Sequence, residues 1–156
     1  ESDLVLVEIM VDRCVHCREL KPVLERVQAA YPDLKIVIKH IPTSEAVALL
    51  EARLALAAAK IGKFDEMHNF LLEQEEPPSD ADLAKMLAAN GIDQESFIEI
   101  AKSDEVTDAI VGVFPAVARL GLMSTPAFIF RNKIYSKFSR VPTFEDFVLL
   151  LTQPAQ

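Results

Sequence analysis

The chain has 156 residues, 51% of them hydrophobic and 26% charged, with 24 acids against 16 bases and a net charge of −8. That is enough apolar material for a packed core in one domain or a domain with a sizeable insertion, and it excludes a disordered, collagen-like or disulfide-stapled chain. No Lys/Arg-rich run marks a nucleic-acid surface, and no stretch reaches the roughly 18–20 apolar residues of a membrane-spanning helix.

The chain opens Glu1-Ser2-Asp3 with no basic-then-apolar leader, so a processed or trimmed product is expected, with any export signal removed from view. Leu4 to Val11, LVLVEIMV, is apolar but for one acid, the pattern of a central strand buried on both faces. Leu20, Val23, Leu24, Val27 and Tyr31 then recur at helical spacing, with Pro22 inside as a kink site and Pro32-Asp33 as a stop. Leu34 to Ile41, LKIVIKHI, is a second strand rich in β-branched residues. Strand, helix and strand in about 40 residues is a βαβ unit with parallel strands.

Residues 43–121 read as helix throughout. Thr43 or Ser44 caps an Ala/Leu-rich segment ending at Gly62, and Phe64, Met67, Phe70 and Leu71 mark a second helix. Ser79 with Asp82 opens a third as a capping box, Asn90-Gly91 closes it, and Asp93 caps a fourth. Val106, Ile110, Val113, Val117 and Leu120 form the stripe of a fifth, stopping at Gly121. Strand patterns return at Ala127–Phe130 and Ile134–Phe138, with a hairpin turn expected at Asn132-Lys133, and Phe144, Phe147, Val148 and Leu151 give a closing helix. The predicted order is β-α-β, a helical block over 43–121, then β-β-α, with residues 1–42 and 122–156 as the α/β core.

The only two cysteines stand as Cys14-Val15-His16-Cys17, just after the first strand, where the first helix begins. Three-residue spacing on a helical first turn brings the two sulfurs within bridging reach. It also leaves the first near free N–H groups and the positive end of the helix dipole. Both effects favour a thiolate at Cys14, the reactive form. His16 can donate to the sulfur or carry positive charge beside it. Stabilising the reduced form makes the disulfide a stronger oxidant, by about 30 mV per 1.4 kcal/mol. A permanent staple is the first alternative, but so short a loop stabilises little. A zinc site is the second, but only His16, His40 and His68 remain to complete one, at no recognisable spacing. His40 and His68 read as structural or surface groups.

The run of strand, CVHC, helix and strand, then a helical insertion, then Ser124-Thr125-Pro126 ahead of a hairpin and last helix, resembles the DsbA-like family of thioredoxin-fold thiol–disulfide oxidoreductases across essentially the whole chain. The resemblance implies a thioredoxin fold with an inserted all-helical subdomain. It casts Cys14 as exposed nucleophile, Cys17 as buried partner, and Val15 and His16 as the dipeptide that sets redox poise. It makes Pro126 the cis-proline facing the disulfide and Thr125 the residue whose backbone pairs with a substrate strand. Glu8 matches a buried acid beneath the motif, and Lys35 the lysine that accompanies it. In an apolar strand Glu8 is expected to be desolvated, with a raised pKa, and to accept the Cys17 proton; the alternative is a Glu8 pointing to solvent. Pro126 as a trans strand starter is likewise open.

The implied activity is disulfide exchange with unfolded or partly folded cysteine-containing proteins, without an organic cofactor, in the periplasm or another exported bacterial compartment. A quinone-linked membrane protein would re-oxidise it, or a reducing partner would serve an isomerase or reductase of the same fold. The remaining alternatives are a non-redox peptide-binding module and a glutathione-using transferase, both disfavoured by the cysteine pair. The chain departs from the family pattern in two places. Val15 replaces the proline common in the oxidase motif, and the chain starts at the central strand, so the edge strand often preceding it is expected to be short or absent and an N-terminal oligomerisation segment could have been lost with it.

Overall fold

The computed structural model describes residues 4–41, 46–122 and 124–153. The chain forms two compact units, residues 1–40 with 122–156, and residues 41–121.

The first unit is an α/β fold built on a four-stranded sheet ordered β2-β1-β3-β4, where β1 is Val5–Met10, β2 Lys35–His40, β3 Ala127–Phe130 and β4 Lys133–Tyr135. β1 pairs parallel with β2 in the register Glu8↔Ile38 and antiparallel with β3 in the register Glu8↔Phe128, so it lies inside the sheet as its apolar run requires. Helices α1 (Val15–Ala30) and α8 (Phe144–Thr152) cover it. Leu6, Phe128 and Phe130 from the sheet meet Leu20, Leu24 and Val27 of α1 and Phe147, Leu150 and Leu151 of α8 in one cluster. Apolar side chains at i, i+4 and i+7 along α1 make that contact, and the helix continues through Pro22, which faces solvent.

The hairpin differs from the expected one by a residue. Arg131 and Asn132 form the turn, with φ of 48° and 62°, and Lys133 is already the first residue of β4, opposite Phe130. A two-residue turn with both positions left-handed matches the twist of the strands, and Asn accepts that conformation more readily than Lys. Lys137, also left-handed at φ 57°, lies past the end of β4, so Phe138 is outside the strand.

The second unit contains α2 (Ala46–Lys60), α3 (Phe64–Glu73), α4 (Asp80–Ala89), α5 (Gln94–Lys102), α6 (Asp104–Val111) and α7 (Val113–Arg119). Its core gathers Leu54, Met67, Leu71, Leu87 and Phe97. The Ser79–Asp82 capping box and the Asp93 cap are both present, and Gly91 takes the left-handed conformation after α4. Thr43 and Ser44, the expected caps of α2, and the expected boundary after residue 42 lie outside the described residues. The single helix expected over 106–120 is two. Pro115 cannot donate to the Val111 carbonyl and its ring crowds that oxygen, so α6 ends at Val111 and α7 starts beyond Gly112. Only Val106 and Ile110 of the expected stripe are buried.

Candidate active site

β1 delivers the chain to the head of α1 through a tight turn closed by the Cys14 N–H donating to the Val11 carbonyl at 2.9 Å. Cys14 is the N-cap of α1: its backbone is extended, and its sulfur accepts the Cys17 N–H at 3.3 Å. A sulfur thus occupies the place where a Ser or Asp oxygen usually satisfies a free helix donor. Both cysteines are thiols here, Cys14 half-buried and Cys17 buried.

The same geometry separates their acidities. Cys14 is lowered to about 5, first by the Cys17 thiol placed to donate to it, against partial burial, and then by the backbone N–H groups of Cys17 and His16. Cys17 is pushed up, because its proton is held by Cys14, because it is buried, and because a second negative charge beside the first is costly. One thiol is therefore a thiolate at neutral pH while its neighbour keeps its proton.

On the other side of the sulfur, the Cys14 thiol faces the Thr125 carbonyl at 3.6 Å, and the Thr125–Pro126 peptide is cis. Pro126 is buried and opens directly into β3. Residues 111 apart in sequence thereby meet at one sulfur. Val15 is 59% exposed at the rim.

Glu8 lies within β1 and is 3% exposed. Burial, then the negative charge of Cys14, then that of Asp12 raise its pKa to about 8. Asp12 and His40 are buried as well, joined Oδ1 to Nε2 at 3.2 Å where β1 and β2 end. Asp12 is not among the residues expected at the site, and His40 is expected only as a structural or surface group. Asp12 sits two residues before the motif, a signal that was legible, but its pairing with His40 needs the β1–β2 register and was not.

Two expected roles are corrected. Lys35 is exposed at the start of β2, opposite Val5, three residues along the ladder from the neighbour of Glu8. An odd separation along a strand places the two side chains on opposite faces, so Lys35 does not accompany Glu8. The His16 imidazole pairs with Glu19, Nδ1 to Oε2 at 3.3 Å, with both groups exposed, and not with the Cys14 sulfur. It is the backbone N–H of His16 that acts on Cys14.

A profile of the DSBA-like thioredoxin domain matches residues 44–148. The chain belongs to the DSBA-like thioredoxin domain family. The matched segment holds the helical block and Thr125-Pro126 but not Cys14 and Cys17, so the motif is placed by the geometry above. Solved DsbA-like structures share the fold. α-DsbA2, a thiol-disulfide exchange protein of Wolbachia pipientis, superposes with a TM-score of 0.85 at 20% identity over 97% of this chain and 81% of its own. A thioredoxin-like oxidoreductase of Silicibacter pomeroyi DSS-3 gives 0.80 at 23% identity, over 96% and 84%. A periplasmic thioredoxin-like protein of Salmonella enterica serovar Typhimurium gives 0.77 at 21%, over 96% and 82%. Among curated proteins, the Na(+)/H(+) antiporter NhaA 3 of Salinispora tropica is 29% identical over 101 residues, 64% of this chain; the chain spans 16% of that protein's length. Among the described residues no helix is long and apolar enough to cross a membrane.

Proposed function

We propose that this DsbA-like domain is a thiol–disulfide oxidoreductase that exchanges a Cys14–Cys17 disulfide with cysteines of substrate proteins, working as a dithiol oxidase. The observation that carries the reading is the asymmetry of the pair: an acidic, half-exposed Cys14 against a buried, proton-holding Cys17. A substrate thiolate attacks the Cys14 sulfur, the Cys14–Cys17 bond breaks, and Cys17 leaves as a thiolate. Being buried, it takes up a proton, and Glu8 of β1, whose carboxyl is still protonated at neutral pH and which acts on Cys17, is the acid that supplies one. A second substrate thiolate then attacks the substrate sulfur of the mixed disulfide. Cys14 departs as a stabilised thiolate, the substrate is oxidised by two electrons, and the domain holds them as dithiol.

Acidity at Cys14 favours the oxidase direction, because a reduced form stabilised by about 1.4 kcal/mol gains some 30 mV of oxidising power. Substrates would lie extended against the backbone at Thr125-Pro126. An exported compartment and a quinone-linked membrane re-oxidant complete the reading, the former in keeping with the periplasmic Salmonella neighbour. Equilibration of the pair against glutathione buffers tests it. A potential well above thioredoxin's, about −270 mV, is expected; a value at or below that makes the domain a reductase. Accelerated rearrangement of scrambled disulfides, without net oxidation, would make it an isomerase.

A further inference from the structure

Asp12 and His40 are 2% and 7% exposed, and neither takes part in the exchange steps. Asp12 lies in the turn that leads from β1 to Cys14, closed by the Cys14 N–H on the Val11 carbonyl. Its carboxylate reaches back to the end of β2, where Oδ1 meets His40 Nε2 at 3.2 Å. A carboxylate only accepts hydrogen bonds, so Nε2 carries the hydrogen and donates it. An acid so enclosed needs such a donor to keep its charge. The strand register brings this pair to Glu8. Glu8 pairs with Ile38 and Met10 with His40, and residues two apart on a strand share a face, so Glu8 and His40 project from one side of the sheet. On that side Leu6 packs against α1, the helix that carries buried Cys17.

We propose that Asp12, held in place by His40, is a positioning residue of the exchange reaction: its charge keeps a proton on Glu8 until Cys17 takes it. This role rests on the functional reading above, with Glu8 as the acid, and supplies what prepares that acid. The state that matters is the disulfide. Burial, then the Cys14 charge, then the Asp12 charge raise the Glu8 pKa, and the second is absent while Cys14 is bonded to Cys17. Of the two charges, only that of Asp12 then acts. As the substrate sulfur bonds to Cys14, the electron pair of the S–S bond passes to Cys17. Cys17, whose pKa is pushed up, draws the Glu8 proton, and Glu8 is left as a carboxylate that water reprotonates.

The test is the rate at which dithiothreitol reduces the disulfide form of the full chain at pH 7, followed by the Cys14 thiolate absorbance near 240 nm. Glu8→Gln should slow it about a hundredfold, the scale of a lost general acid. Asp12→Asn should slow it about fivefold in the wild-type background, as Glu8 gives up part of its proton occupancy. In the Glu8→Gln background it should slow it by less than about twofold, because no acid is left to prepare. His40→Gln keeps a donor and should stay within about twofold of wild type, while His40→Leu should match Asp12→Asn. If the pair only pins the turn ahead of Cys14, Asp12→Asn slows both backgrounds by the same factor; that result, or no slowing at all, overturns the proposal. A Glu8→Gln protein as fast as wild type does the same. So does loss of the fold, by far-UV circular dichroism, in both Asp12→Asn and His40→Leu. A wild-type disulfide reduced no faster than that of a small peptide sinks the functional reading itself, before any substitution is compared.

Discussion

Asp82 and Asp93 of the helical unit and Glu8 of the sheet unit use the same carboxyl group in opposite ways. The helical unit carries 15 acids against 6 bases, and the sheet unit 9 against 10. In the helical unit, Asp82 and Asp93 sit at helix N-termini, where Ser79 and Ser96 donate to them and hold their carboxyls below the usual range. Those contacts are exposed and local, and their effect is to start a helix. In the sheet unit, Glu8 is enclosed and shifted upward to about 8, and buried Asp12, just before the cysteine motif, pairs with buried His40. The same functional group thus serves as a cap in one place and as a proton store in the other; burial, not residue type, decides which.

If that division is right, substitutions should separate chemistry from stability. The largest effect is expected at the motif: Cys14→Ser should abolish disulfide exchange in a dithiol-oxidation assay while leaving the fold intact. Cys17→Ser should leave a stable mixed disulfide, visible as an added mass on substrate. Turnover by Cys14→Ser would leave the peptide-binding alternative standing. In the helical core the pattern should reverse. Phe97 is fully buried among Leu54, Met67, Leu71 and Leu87, so Phe97→Ala should cost about 3–5 kcal/mol in urea unfolding. The thiolate absorbance titration of Cys14 near 240 nm should not move. A shifted titration would show that the units are not independent in this sense.

Much of this was legible in the sequence, and the limits have physical causes. The apolar run of β1, the spacing of α1 and the Ser79 and Asp93 caps are short-range signals, and each appears in the structure where it was read. The misreadings share a different origin. The break at Gly112 was hidden because an apolar stripe continues past Pro115, and a lost hydrogen bond outweighs periodicity. The hairpin moved by one residue because turn conformation, not hydrophobic pattern, fixes register. Lys35 was matched by its place in the sequence, but strand parity puts it on the wrong face. The approach of Thr125 to Cys14 across 111 residues is set by the order of the strands, with no local signal.

The next effect concerns pH. A carboxyl raised from 4.5 to about 8 favours folding fully below 4.5, where both states are protonated at this group. That contribution is lost as pH rises through 8, since the unfolded chain gives up its proton first. Glu8→Gln should flatten this fall and make the protein more stable than wild type above pH 8, by a few kcal/mol in order of magnitude. Cys14 has the opposite sign. Lowered to about 5, it stabilises the reduced fold above the ordinary thiol range, and that stability is lost as pH falls through 5. The reduced protein should therefore be more stable than the disulfide form at pH 7, with the gap closing near pH 5. Urea midpoints of both forms across pH 4–9 check both signs, and parallel profiles would contradict them.

The smallest effect is expected where the sequence suggested a large one. Removing the His16 imidazole in His16→Ala deletes an exposed contact with Glu19, and such pairs are typically worth under about 1 kcal/mol. The backbone N–H that acts on Cys14 survives the substitution, as does the cap from Cys17. The Cys14 titration should therefore move by less than about one pH unit, corresponding to under about 30 mV in the potential. Glu19→Gln sharpens the test. If the imidazole is held away only by that carboxylate, freeing it should acidify Cys14 further, and the double substitution should return it to the value of His16→Ala. A large loss of acidity in His16→Ala alone would place the ring, not the helix head, at the origin of the reactive sulfur.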